Sequence, residues 1–171
     1  MTTGESPRRI ALVTGGASGI GRACVTRFVT DGYAVVVGDL NDESLAAVAD
    51  EFGDAVSVQR CNVTIESDLE MLCAHAIDHF GRLDVAVANA GRGTFGLIVD
   101  HSVDEFRAIV DLCLTGVFLT IKQCGRVMAD GGSIVTIASL NATQPSRGMS
   151  AYCAAKAGVV MLTEVAAMEL G

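Results

Sequence analysis

A doubly wound α/β fold with an open parallel sheet is the class this sequence predicts, and three observations carry it. Short runs rich in Val and Ile alternate with segments of helical length along the chain. Those runs are apolar at consecutive positions, as strands covered by helices on both faces require. Glycines at 32, 53 and 81 follow the ends of three helical segments, where a left-handed cap residue belongs. Such a βαβα rhythm winds into a sheet through right-handed crossovers.

The elements follow in order. A strand over 10–14 runs into the turn Thr14-Gly15-Gly16-Ala17-Ser18-Gly19-Ile20-Gly21 and a helix over 19–31. A second strand spans 34–38, and a helix over 42–52 takes Asn41 or Asp42 as its N-cap. A strand over 55–59, a helix over 65–80 and a strand over 84–88 come next. A long helical stretch over 103–128 starts from Ser102 as N-cap, a fifth strand spans 133–138, and a last helix begins near Ser150 and is still running at Gly171. No repeat, low-complexity segment or linker interrupts the pattern, so residues 1–171 read as one domain.

Composition narrows the function classes. Half of the 171 residues are apolar and 19% are charged, which excludes a disordered chain. Twenty acidic residues against twelve basic ones give a net charge of −8, the wrong sign for a nucleic-acid binder. No uninterrupted apolar run reaches the roughly 18 residues of a membrane helix. The run Ile10-Ala11-Leu12-Val13 after Arg9 is too short for a signal peptide. The six cysteines form no CxxC pair, so no metal site is expected, and buried thiols in a reducing cytoplasm are.

The glycine turn has the chemistry of a dinucleotide site. Its glycines permit a tight turn and close approach to a pyrophosphate, and the helix start offers free N–H groups and a positive dipole end. The spacing of Gly15, Gly19 and Gly21 departs from GxGxxG, and similar turns serve methyltransferases or are plain structure. Asp39 ends the second strand 18 residues after Gly21, where a carboxylate accepts bonds from ribose hydroxyls and repels a 2′-phosphate. Leu40 follows it, and Ser18 occupies the turn where a phosphate-binding base would sit, so NAD(H) is favoured over NADP(H). A turn or N-cap aspartate is the plainer alternative.

Tyr152 and Lys156 lie four apart on one face of the last helix. Ser139 stands just past the fifth strand, on the rim where open α/β sheets bind ligands. A free phenol is a poor base at neutral pH, and a nearby ammonium favours its ionised form. Ser139 is placed to polarise a substrate oxygen.

With these residues and Asn89-Ala90-Gly91, the chain resembles the short-chain dehydrogenase/reductase family from about residue 8 onward. The resemblance implies a Rossmann-like sheet and hydride transfer between NAD(H) and a secondary alcohol or ketone. It implies Tyr152 as acid/base, Lys156 as ribose anchor and Ser139 as substrate orienter. Gly15, Ser18, Gly19, Ile20, Gly21, Asp39, Leu40, Asn62, Val63, Asn89, Ala90 and Gly91, with Tyr152 and Lys156, are the cofactor residues it implies. It also implies a homodimer or homotetramer paired through the helices over 103–128 and 150–171. Arg92, Phe95, Leu140, Gln144 and Met149 are expected near the substrate pocket, with no role assigned.

Three departures stand out. Asn62 occupies a position the family often fills with Asp, which keeps an acceptor and loses a charge. Cys113 takes the place of an Asn that in the family holds a relay water to the lysine; a thiol is a weaker partner. The resemblance implies a sheet order of 3-2-1-4-5-6-7; the chain reaches only 15 residues past Lys156, so the order expected is 3-2-1-4-5 with strands six and seven missing, a domain incomplete at its C-terminus and a fifth strand left as an edge. An alternative is therefore a truncated, non-catalytic nucleotide-binding module, and a more distant one an S-adenosylmethionine-dependent methyltransferase.

Overall fold

The structure is a computed structural model, and it describes residues 8–171. Residues 1–7, on which part of the signal-peptide reading rests, lie outside the described residues. The strands β1 (Ile10–Thr14), β2 (Ala34–Asp39), β3 (Val56–Arg60), β4 (Val85–Ala88) and β5 (Ser133–Thr136) form one parallel sheet in the order β3-β2-β1-β4-β5. That is the predicted architecture and order.

Alternation along the strands sorts the core into two layers. Ala11, Val13, Val35 and Val37 pack with Val25 of α1 (Gly19–Thr30) and with Leu45 and Val48 of α2 (Asp42–Phe52). Leu12, Val36 and Ala86 point the other way, toward Leu69, Leu72 and Cys73 of α3 (Glu66–Phe80) and Leu119 and Cys124 of α5 (Gly116–Val127). The same face receives α6 (Ser150–Leu170), whose Val159 packs with Ala88, Val117 and Ile121.

Several boundaries move for local reasons. β3 starts one residue late because Gly53–Ala55 forms a 3₁₀ turn. Asp84 lies outside β4; its carboxylate accepts the Ile10 N–H at 2.8 Å and pairs with Arg82. β5 ends at Thr136, two residues short of expectation. Gly53 (φ +52, ψ −136) and Gly81 (φ +80, ψ −4) both have positive φ, and of the two only Gly81 adopts the left-handed helical conformation. Asn41 caps α2 by accepting the Ser44 N–H at 2.8 Å, and Ser102 caps α4 (Val103–Val110) through the Glu105 N–H.

The largest correction concerns the stretch over 103–128. It is α4 and α5 joined by a π turn, Asp111–Thr115. Inserting one wider turn re-aims the side chains that follow, a device common at functional sites. By length and composition alone, Val103–Val127 and Ser150–Leu170 are long and apolar enough to cross a membrane. The first is half-buried in this fold and the second docks through Ala151, Ala155 and Val159.

Candidate active site

The turn after β1 is shaped by what a side chain would strike. At Gly15 the backbone is left-handed (φ +63), and a Cβ would lie 2.9 Å from Ala90 Cα. A Cβ at Gly21 would overlap the Gly15 carbonyl oxygen. Gly19 is also left-handed (φ +51), with open space beside it. Ser18 begins α1 in an extended conformation, makes no side-chain cap bond, and no acidic residue occupies the first turn. The N–H groups and positive dipole end of that helix thus have no competing anion from α1 itself.

Asn89 holds this turn in place. Its amide donates to the carbonyls of Thr14 and Gly15, both at 3.0 Å. The buried Thr14 hydroxyl accepts the N–H groups of Asn89 (3.1 Å) and Ala90 (3.3 Å) and donates to Val87 O at 3.4 Å. Sequence reasoning took Thr14 as part of the motif and missed it as the clasp between β1 and β4. The residue's β-branched type at a strand end carries no signal for that role.

Asp39 closes the same corner from β2. One carboxylate oxygen accepts the Ala17 N–H at 3.1 Å; the other accepts those of Leu40 (2.7 Å) and Asn41 (3.2 Å). The turn aspartate and the cleft-lining aspartate are therefore one residue. The sheet also sets Arg60 beside it as register partner, a neighbour no local pattern reveals, although the Arg60 guanidinium leans toward Asp42 at 3.8 Å.

At the other end, Lys156 is buried at 3% exposure, and its ammonium donates to Ile137 O at 2.6 Å. It lies 5.7 Å from the centre of the Tyr152 ring. Burial pulls the ammonium below the ordinary lysine range, with the neighbouring Cys113 acting in the opposite direction. Cys113 sits inside the π turn, fully buried, and its thiol donates to Arg92 O at 3.3 Å. Ser139 starts a short 3₁₀ turn (Leu140–Ala142), its hydroxyl accepting the Asn141 N–H at 3.1 Å.

A cleft of about 450 Å³ joins these ends. Gly15, Ser18, Gly19, Ile20, Asp39, Leu40, Val63, Asn89, Ala90, Gly91, Tyr152 and Lys156 line it, all expected from sequence. Gly21, Asn62 and Ser139 do not. Gly21 packs beneath the turn, Asn62 folds its carbonyl onto the Thr64 N–H (3.1 Å) and hydroxyl (2.9 Å), and Ser139 stands beyond the lining. Of the expected substrate-side residues only Arg92 lines the cleft, paired with Glu105 at 2.9 Å. The Phe95 ring instead covers Gly148, and Leu140 is exposed. Cys61, Gly93, Leu112 and Ile137 line the cleft without having been singled out as cofactor residues.

Residues 9–171 match the family described as short chain dehydrogenase. The chain belongs to the short chain dehydrogenase family. It is 39% identical over 168 residues to momilactone A synthase of Oryza sativa subsp. japonica, covering 95% of this chain and 61% of that protein. Against the 3-alpha-(or 20-beta)-hydroxysteroid dehydrogenase of Mycobacterium tuberculosis (strain ATCC 25618 / H37Rv) the identity is 38% over 165 residues, covering 95% and 64%. Thus the chain spans about three-fifths of the length of these curated relatives. A crystal structure of a short chain dehydrogenase from Mycobacterium smegmatis superposes with a TM-score of 0.91 at 32% identity, over 95% of this chain and 71% of that one. Family membership makes the protein a relative of oxidoreductases and a nicotinamide dinucleotide the ligand class for which the cleft is to be judged.

Proposed function

We propose that the protein is an NAD(H)-dependent oxidoreductase that interconverts a secondary alcohol and a ketone. The observation that carries this reading is the single cleft joining the glycine turn, Asp39, Tyr152 and Lys156. The residues present fit a dinucleotide: an unblocked helix start, glycines at which a Cβ would strike the turn or fill the adjoining space, and a carboxylate at the far corner. Gly15, Ser18, Gly19 and Ile20 would hold the pyrophosphate on their backbone, and Asp39 the adenosine ribose. The Asp39 charge opposes a 2′-phosphate, and Arg60, turned toward Asp42, lies outside the lining, so NAD(H) is preferred to NADP(H).

When bound, the nicotinamide supplies or accepts the hydride. Tyr152 gives or takes the hydroxyl proton of the substrate, and the ammonium of Lys156 favours the phenolate and bonds the nicotinamide ribose. Ile137 O fixes that ammonium in place at 2.6 Å. Ser139 orients the substrate oxygen once its hydroxyl turns from the Asn141 side chain, 3.5 Å away. The partner is a small alcohol or ketone, and assembly is through copies of this chain.

Titration of NADH fluorescence, followed by assay of a panel of secondary alcohols with NAD, tests the proposal. Saturable binding and turnover are expected, with turnover at least about 10³-fold lower in Tyr152→Phe and NADH affinity nearly unchanged. Turnover that survives in Tyr152→Phe removes the assigned acid/base, and absence of NADH binding removes the cofactor reading altogether.

A further inference from the structure

The core between α3 and α5 holds a chemical group that hydride transfer does not use. Cys73 of α3 and Cys124 of α5 point at each other with their sulfurs 3.7 Å apart, and both are buried, at 2% and 0% exposure. Cys61, at the end of β3, belongs to the same apolar cluster with Leu69, Leu72 and Leu119. Cys61 also lines the cleft, so the apolar cluster that holds the pair reaches the cleft wall. Among the described residues all six cysteines are free thiols.

We propose that Cys73 and Cys124 form a peroxide-oxidisable dithiol, a site that closes to an intramolecular disulfide on reaction with hydrogen peroxide. Sulfur atoms in van der Waals contact need only about 1.7 Å of further approach to reach bonding distance. The two helices that carry them rest on the same face of the sheet, so that approach is a small lateral shift of packed elements. At that distance no other group lies between the sulfurs, and both belong to an apolar cluster with Leu72, Leu119 and Ala76.

The roles of the two sulfurs differ. The contact between the two sulfurs favours the thiolate at Cys73, while that contact and burial hold Cys124 protonated. Burial likewise pushes the Cys61 thiol up to about 12, which makes it a bystander. The Cys73 thiolate attacks one peroxide oxygen, the O–O bond breaks, and hydroxide leaves to take up a proton as water; Cys73 becomes a sulfenic acid. The Cys124 sulfur then attacks the Cys73 sulfur, the S–O bond breaks, and the hydroxyl leaves with the Cys124 proton as a second water. Two thiols lose two electrons and two protons, and one hydrogen peroxide is reduced. Full burial selects the oxidant: a glutathione-sized disulfide cannot reach the pair, so the oxidant is a water-sized peroxide.

The experiment is peroxide treatment of the folded protein, read by intact mass, by thiol count after unfolding, and by peptide mapping. Expected are a loss of two hydrogens, a fall from six titratable thiols to four, and a linked pair of peptides carrying Cys73 and Cys124. Oxidised glutathione under the same conditions leaves both unmodified. In Cys124→Ser, dimedone traps a sulfenic acid on Cys73 in place of the link. Six surviving thiols would overturn the proposal. So would oxidation confined to the half-buried Cys24 and Cys153, or a link between any other pair. Mapping of the unsubstituted protein decides the matter even if the variant fails to fold, and no readout depends on NADH binding or turnover.

Discussion

The two ends of the cleft are built in opposite ways. At the glycine-turn end, β1 is buried at every residue and β2 at all but its last, and both are covered by α1 and α2 on one face and α3 on the other. At the tyrosine end, β5 alternates between exposed and half-buried, with Val135 46% exposed. The first end presents its backbone N–H groups from a turn that Asn89 and Thr14 clasp into that rigid frame. The second presents side chains that are themselves held by backbone carbonyls, Lys156 by Ile137 and Cys113 by Arg92. Damage at the first should act through shape and stability, and damage at the second through protonation and rate.

The sharpest way to break this contrast is Gly21→Ala. The new methyl group overlaps the Gly15 carbonyl and crowds the Asn89 amide, so both the turn and its clasp must move. Overpacking of this kind costs about 2–3 kcal/mol, and NADH binding is expected to be lost with it. Urea unfolding and fluorescence titration check the two effects. A variant within about 0.5 kcal/mol of the parent with intact binding would mean that the turn yields, and the rigid-frame argument would fail.

Asn89→Ala probes the same end with no new bulk. It removes two bonds at 3.0 Å and leaves the Thr14 and Gly15 carbonyls without those donors. At about 1 kcal/mol for each bond, destabilisation by about 2 kcal/mol is expected, and NADH affinity should fall in parallel. A loss of affinity at unchanged stability would place Asn89 on the ligand and not beneath the turn.

What the sequence made legible follows the same division. The strands and the residues of the glycine turn could be read because backbone constraint leaves its mark as glycine, and double burial leaves its mark as runs of Val and Ile; the strand order came from the family resemblance. Tyr152 and Lys156 were legible from helical spacing, and the cleft does bring them together with Asp39. The π turn at Asp111–Thr115 was not legible, since one added residue per turn barely disturbs an apolar helical pattern. Nor was Arg60 beside Asp39, or the Ile137 carbonyl beneath Lys156, because register pairing and backbone acceptors carry no local side-chain signature. Ser139 was placed on the correct rim yet lies outside the cleft lining, its hydroxyl engaged by the turn it begins.

At the tyrosine end, Lys156→Met gives a smaller effect with a definite pH dependence. Burial depresses the folded ammonium below the ordinary value of 10.5, so the folded state releases its proton at lower pH than the unfolded chain. Below the folded value both states are protonated and the full cost of burying the charge is present. As pH rises toward 10.5 that cost disappears, because only the unfolded chain still holds its proton. The stability of the parent relative to Lys156→Met should therefore rise as pH climbs toward 10.5, in paired urea titrations. A constant difference across that range would show that the charge is not desolvated in the folded state.

The smallest effect is expected where the two ends meet, at Cys113. The thiol is fully buried in the π turn, bonds Arg92 O, and lies close enough to Lys156 to act on its charge. A thiol donates and accepts weakly, whereas an amide does both well. Replacing it by Asn places a stronger donor against Arg92 O and a stronger acceptor toward the lysine, at the cost of fitting a larger group beside Gly91, whose Cβ position is 3.3 Å from the sulfur. Cys113→Asn should raise kcat a few-fold at unchanged NADH affinity, because the lysine gains a partner that can hold water for proton exchange. The increase should vanish in the Lys156→Met background, since the gain acts through that ammonium. An unchanged kcat on the substitution would place proton supply outside the Cys113–Lys156 corner and leave the π turn a purely structural joint.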